Sequence, residues 1–153
     1  MKNILFVCTG NTCRSCMAEG ILKELLRKHN KEDDFRVSSA GLYVNIGDKA
    51  SKYAVDVLKN EWNIDISNHI SRKLSVEDLK DADVILTMTN SHKYIILEKE
   101  SKYQNKVYTL KEYLNCKDLD IFDPYGGTYD DYKLCANDIK EQVEKLFEKL
   151  ERV

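Results

Sequence analysis

The sequence predicts an α/β fold, a parallel sheet with helices on both faces. Short apolar or β-branched runs alternate with longer stretches of helical period along the chain, and strand–helix alternation builds parallel sheets covered on both sides. The runs 4-ILFVC-8 and 83-DVILTM-88 have the apolar character of central strands buried on both faces. The loop 9-TGNTC-13 separates the first such run from the first helix, and ligands of these sheets bind beyond the carboxyl ends of strands.

Element by element, 3–8 reads as a buried strand and 15–29 as a helix with Met17, Ile21, Leu22, Leu25 and Leu26 at helical spacing. A second strand covers 35–39 and ends at Gly41. A helix over 48–61 carries Ala50, Ala54, Val57 and Leu58 on one face. The string 75-SVED-78 has the form of a capping box and opens a short helix. The strand at 83–88 is followed by a helix over 90–100 and a short strand at 106–110. A second box-like string, 128-TYDD-131, opens a final helix with Tyr132, Cys135, Ile139, Val143, Leu146 and Leu150 along one stripe.

Residues 1–153 are expected to form a single domain, long enough to bury roughly 70% of the unfolded surface. Net charge is −2 with both signs mixed, which leaves no basic face for nucleic acid. An anion must therefore be held by a local arrangement. The run 4-ILFVC-8 is too short for a membrane span or a signal-peptide core, so a cytoplasmic protein without a membrane partner is expected. Five cysteines is an odd number without the spacing of a secreted disulfide framework, and reduced thiols follow.

Cys8, Cys13 and Cys16 admit three chemistries. A metal site needs a second Cys or His pair, and the three histidines are scattered, so no metal is expected. Cys13-x-x-Cys16 at a helix start resembles a thiol–disulfide pair, yet that reading leaves Cys8, Gly10, Asn11 and Arg14 without a purpose. The third chemistry uses them all. Five residues between Cys8 and Arg14 can curl so that the N–H groups of Thr9, Gly10, Asn11, Thr12 and Cys13 point inward, with Gly10 and Asn11 suited to left-handed angles. The following helix N-terminus favours an anion, and Arg14 adds a planar two-pronged contact to phosphate oxygens. The same field favours the Cys8 thiolate, and a thiolate inside an anion cradle is a site for covalent phosphoryl transfer.

The string 7-VCTGNTCRS-15 resembles the signature of the low-molecular-weight protein tyrosine phosphatases, in their bacterial branch. The resemblance extends through 39-SAG-41, 69-HISR-72, 82-ADVILTM-88 and 122-FDPYGG-127. It implies a four-stranded parallel sheet in a flavodoxin-like three-layer fold. It also implies a cofactor-free enzyme that acts on phosphorylated proteins, expected here to be a monomer. Cys16 stands where the family usually has proline, a change that should leave the fold alone and add a third thiol.

By that resemblance Asp123 is the general acid and later the base for water, and Tyr125 lines the pocket entrance. Ser15 hydrogen-bonds the thiolate, while Asn11, Ser39 and His69 support the loop. Cys13 becomes the redox partner of Cys8 in a reversible disulfide. Arsenate reductases share the cradle but add a cysteine pair after the third strand, where 87-TMTNSHKYIIL-97 has none. A receiver module would need acidic residues where this chain has Phe6-Val7-Cys8. Relatives acting on phosphotyrosine often carry a bulkier aliphatic residue at the position of Thr12, whose hydroxyl suits a phosphoguanidinium group instead. Together with D-P-Y-G-G, the loop most resembles the protein arginine phosphatases of Gram-positive bacteria.

Overall fold

The computed structural model describes residues 1–152. The central strand, β1 (Lys2–Cys8), is flanked by β2 (Phe35–Gly41) on one side and β3 (Val84–Thr87) on the other, with β4 (Val107–Thr109) beyond β3. All three pairings are parallel. Because β1 is sandwiched, its side chains alternate between two cores. Ile4, Phe6 and Cys8 face one, and Leu5 and Val7 face the other, all of them buried. The first core is closed by α1 (Arg14–Lys28), α2 (Lys52–Trp62), α5 (Leu110–Tyr113) and α6 (Tyr129–Glu151). The second is closed by α3 (Val76–Asp81) and α4 (Asn90–Lys99). Burying side chains such as Phe6 and Leu86 contributes about 1.5–3 kcal/mol each.

Capping boxes start four helices. Ser75 with Asp78, Thr89 with His92, Thr109 with Glu112, and Thr128 with Asp131 exchange side-chain and backbone bonds. Those at Ser75 and Thr128 were expected from sequence; the other two were not.

Some boundaries differ from expectation. The helix expected over 48–61 begins only at Lys52. The Asp48 N–H closes a turn on the Asn45 carbonyl, and the Ser51 N–H donates to the Thr12 carbonyl at 2.8 Å, so tertiary bonds replace the first helical turn. Leu110, expected to end the fourth strand, instead opens α5, because the Thr109 hydroxyl accepts the Glu112 N–H. β2 continues to Gly41 because its pairing with β1 runs to the end, Cys8 opposite Gly41.

From β1 the chain crosses to β2 on one side and later to β3 on the other, so the strand order reverses at β1. Cys8 ends that strand, at the position where such sheets bind ligands. Among the described residues no helix is long and apolar enough to cross a membrane.

Candidate active site

The loop 9–13 is pinned by partners from four other segments. Asn11 has φ 58, the left-handed region that asparagine tolerates better than most residues. Gly10, expected to share that conformation, does not, so Asn11 alone supplies the turn among these loop residues. Asn11 is fully buried. Its Oδ1 accepts the Arg72 backbone N–H at 3.1 Å, which fixes the amide orientation. Its Nδ2 then donates to Ser15 Oγ and Ser39 Oγ, both at 2.8 Å. The Asn11 carbonyl accepts from His69 Nε2 at 2.7 Å and from the Ser71 hydroxyl at 2.9 Å. The carbonyls of Cys8 and Thr9 accept the N–H groups of Leu42 and Tyr43.

Counting protons along this network gives direction to Ser15. Its oxygen accepts from Asn11, which leaves its own proton for Cys8 Sγ at 2.9 Å. The Ser39 hydroxyl likewise donates to the Glu19 carboxylate. A hydroxyl thus points at a buried sulfur beside the N-terminus of α1, where unpaired N–H groups and the helix dipole favour negative charge.

The other nearby thiols are different. Burial, with the charge of a Cys8 thiolate adding to it, pushes the Cys13 thiol up to about 11. Burial also pushes the Cys16 thiol well above its ordinary value, and its Sγ donates to the Cys13 carbonyl at 3.2 Å. In the first turn of α1 this bond fills a place where proline could offer no donor, and the helix begins at Arg14 without a side-chain cap. Cys135 is a core thiol, as expected, and all five cysteines are free.

Arg14 links the loop to the opposite rim. It is 3% exposed, and its Nη1 donates to the Ile121 carbonyl at 3.0 Å. Its Nη2 lies 3.5 Å from Asp123 Oδ2. Arg14 Nε is the one buried side-chain nitrogen or oxygen among the described residues without a partner. A buried donor of this kind beside the N–H groups of a curled loop is suited to an anion oxygen.

Asp123 is half exposed and is oriented by a local turn, its Oδ1 accepting the Tyr125 N–H at 3.0 Å. The Gly127 N–H closes a turn on the Pro124 carbonyl, with Gly126 at φ 79. Tyr125 is 77% exposed on that turn. Thr12 is half-buried, and among the described residues its hydroxyl makes no hydrogen bond. Sequence reasoning passed over four residues that complete the site: Glu19, Ser71, Arg72 and His92. Of these only Ser71 and Arg72 left a trace, as part of 69-HISR-72. Among the described residues no cluster of His, Cys, Asp or Glu could hold a metal ion.

The family model for low molecular weight phosphotyrosine protein phosphatases matches residues 3–153. The chain belongs to that family. It is 39% identical over 150 residues to a protein-arginine-phosphatase of Bacillus subtilis, covering 98% of this chain and 97% of the relative. A low molecular weight protein tyrosine phosphatase from T. tengcongensis superposes with a TM-score of 0.92 at 43% identity, covering 97% and 99% of the two chains. A variant of the YwlE arginine phosphatase whose active-site serine is phosphorylated also gives 0.92, at 38% identity over 97% and 95%. The chain is accordingly a protein phosphatase of the cysteine-nucleophile type, with the four-stranded parallel fold of its family.

Proposed function

We propose that this phosphatase hydrolyses phosphoarginine in proteins, with Cys8 as the nucleophile. The Cys8 thiolate attacks phosphorus, and the guanidino nitrogen leaves with a proton from Asp123. Asp123 then takes a proton from the water that attacks the cysteinyl-phosphate, and inorganic phosphate is released. Arg14 and the N–H groups of 9–15 hold the phosphoryl oxygens, with Ser15 donating to the sulfur whenever it is a thiolate. The observation that carries this mechanism is a pair of contacts among four residues: Cys8 on the Ser15 hydroxyl at 2.9 Å, and Arg14 reaching toward Asp123 at 3.5 Å. Asn11, Ser39 and His69 act as supports of the loop, and Tyr125 as a wall of its entrance.

Arginine selectivity rests on Thr12. Its hydroxyl is not consumed within the fold, and a phosphoguanidinium group carries N–H donors that need polar partners. The similarity to a protein-arginine-phosphatase supports this reading. A phosphotyrosine preference is the second reading, favoured by the exposed rings of Tyr43 and Tyr125. Turnover of a phosphoarginine peptide against the matching phosphotyrosine peptide separates them. The expected result is a phosphoarginine preference that Thr12→Ile shifts toward phosphotyrosine. A phosphotyrosine preference that Thr12→Ile leaves unmoved would refute the arginine assignment while leaving the phosphatase intact.

The proposal also takes residues 1–153 as one domain, a cytoplasmic and cofactor-free monomer. It further makes Cys13 the partner that traps oxidised Cys8 as a disulfide: the Cys8 sulfenic acid formed by peroxide condenses with the Cys13 thiol, releasing water. Peptide mapping after mild peroxide should find Cys8 joined to Cys13. Direct passage of Cys8 to sulfinic and sulfonic acids excludes the trap.

A further inference from the structure

His92 is buried at the start of α4, and both of its ring nitrogens are engaged. Nδ1 lies 3.2 Å from the Thr89 backbone nitrogen, which can only donate. Nδ1 therefore carries a lone pair, and the proton of a neutral imidazole sits on Nε2. Nε2 is 2.8 Å from Thr9 Oγ1, so His92 donates to the residue next to the nucleophile. Burial pushes the His92 pKa down to about 4, with the Arg14 charge adding to the effect, and the imidazole is neutral at physiological pH.

The proton of Thr9 is then free. Its oxygen accepts from His92, the hydroxyl makes no other hydrogen bond among the described residues, and Thr9 is exposed beside Cys8. A comparison within the molecule argues that this is more than a helix cap. The other three capping boxes use carboxylates at the same position, Asp78, Glu112 and Asp131. Capping requires only the acceptor that Nδ1 supplies. A histidine occurs in the one box that reaches the nucleophile loop, where a second nitrogen supplies a donor. A carboxylate there could neither donate to Thr9 nor tolerate a neighbouring phosphoryl dianion.

We propose that His92 is a positioning residue for phosphoryl transfer, fixing the Thr9 hydroxyl as a hydrogen-bond donor to a phosphoryl oxygen at the mouth of the cradle. This donor supplements Arg14 and the loop N–H groups. The proposal rests on the reading of Cys8 as nucleophile.

The test is steady-state hydrolysis of para-nitrophenyl phosphate by Thr9→Val, Thr9→Ser, His92→Asn and the Thr9→Val/His92→Asn double variant. Asparagine keeps an acceptor for the Thr89 N–H and removes the donor to Thr9. Thr9→Val and His92→Asn should each lower kcat about 10- to 100-fold, the weight of one hydrogen bond to a charged group. The double variant should be no slower than the slower single one, and Thr9→Ser should restore most of what Thr9→Val loses. Multiplying effects of the two substitutions overturn the proposal, as does a Thr9→Ser enzyme as slow as Thr9→Val. If His92→Asn unfolds, His92→Ser, which also offers an acceptor to the Thr89 N–H and no donor that reaches Thr9, takes its place in the same cycle. Cys8→Ser run in parallel keeps the two readings apart, since turnover retained there strikes the nucleophile assignment.

Discussion

The nucleophile loop, 8–15, is mostly buried and held by bonds to distant segments, whereas the acid loop, 119–127, is anchored only at its start, by bonds of Asp120 with Asn90 and of Ile121 with Met88 and Arg14, and its tip at 123–127 stands largely in solvent on its own turn. Asn11 alone is bonded to Ser15, Ser39, His69, Ser71 and Arg72. Asp123 has the Tyr125 N–H and, at longer range, Arg14. The difference follows from what each loop must bind. A phosphoryl group presents the same oxygens whatever it is attached to, so its donors gain by being fixed before binding. The leaving group sits on a protein surface of varying shape, and the tip at 123–127, with few long-range bonds, can adjust to it.

The largest effect expected from this division is at the sulfur. Cys8→Ser should remove turnover altogether while the folded protein still binds inorganic phosphate, because the cradle donors are untouched. Isothermal titration with phosphate beside an activity assay checks both halves. Near-normal activity would end the covalent mechanism, and lost phosphate binding would show that the loop does not stand without its thiol.

Next in size is Asp123→Ala, expected to slow turnover by roughly 10²- to 10⁴-fold, the usual weight of a general acid. The side chain is about half exposed, so the thermal midpoint should hardly move. A large fall in stability would mean that its contact with Arg14 is structural and that the acid loop is more rigid than described.

How far the sequence revealed these loops depends on the range of their contacts. Cys8, Arg14 and the turn at Asn11 were legible because their chemistry is local and needs residues close in the chain. Asp123 was singled out through the resemblance of 122-FDPYGG-127, since an acid before proline reads by itself only as a turn. His92 was hidden because its partner Thr9 is 83 positions away, and on the helix it reads only as a polar first-turn residue. Arg72, 61 positions from Asn11, acts through its backbone N–H, which no side-chain pattern can announce. The fold was read more completely than its boundaries. Ala50 fits the period of α2, yet the bond from Ser51 to the Thr12 carbonyl holds that stretch outside the helix. Gly10 and Asn11 both looked suited to left-handed angles, but only Asn11 takes one, and its side chain can also make the bonds.

A methyl group added against the nucleophile loop, at the end of β2, and another within the acid loop sharpen the comparison further. At Gly41 a Cβ would lie 2.7 Å from the Thr9 carbonyl oxygen and 3.0 Å from the Asn11 nitrogen. The Val44 methyl at 2.6 Å can swing aside, but the loop backbone is held by its many bonds. Gly41→Ala should therefore cost about 1–3 kcal/mol of stability through overpacking, and lower kcat by displacing the cradle.

The smallest effect belongs to the same change in the acid loop. Gly126 sits at φ 79, and a Cβ there meets nothing within 4 Å. Gly126→Ala then carries only the strain of a left-handed alanine, about 1–2 kcal/mol, or a few degrees in Tm. Asp123 lies outside the strained residue, and its orientation comes from the Tyr125 N–H and from Pro124 behind it. Activity on a phosphorylated protein should accordingly change by less than about threefold, within the range of a barrier shift under 1 kcal/mol. Thermal melts and kcat for the two alanine variants, measured side by side, decide the matter. If Gly126→Ala costs more kcat than Gly41→Ala, the demand for fixed geometry lies with the proton donor, and the ranking of the two loops is reversed.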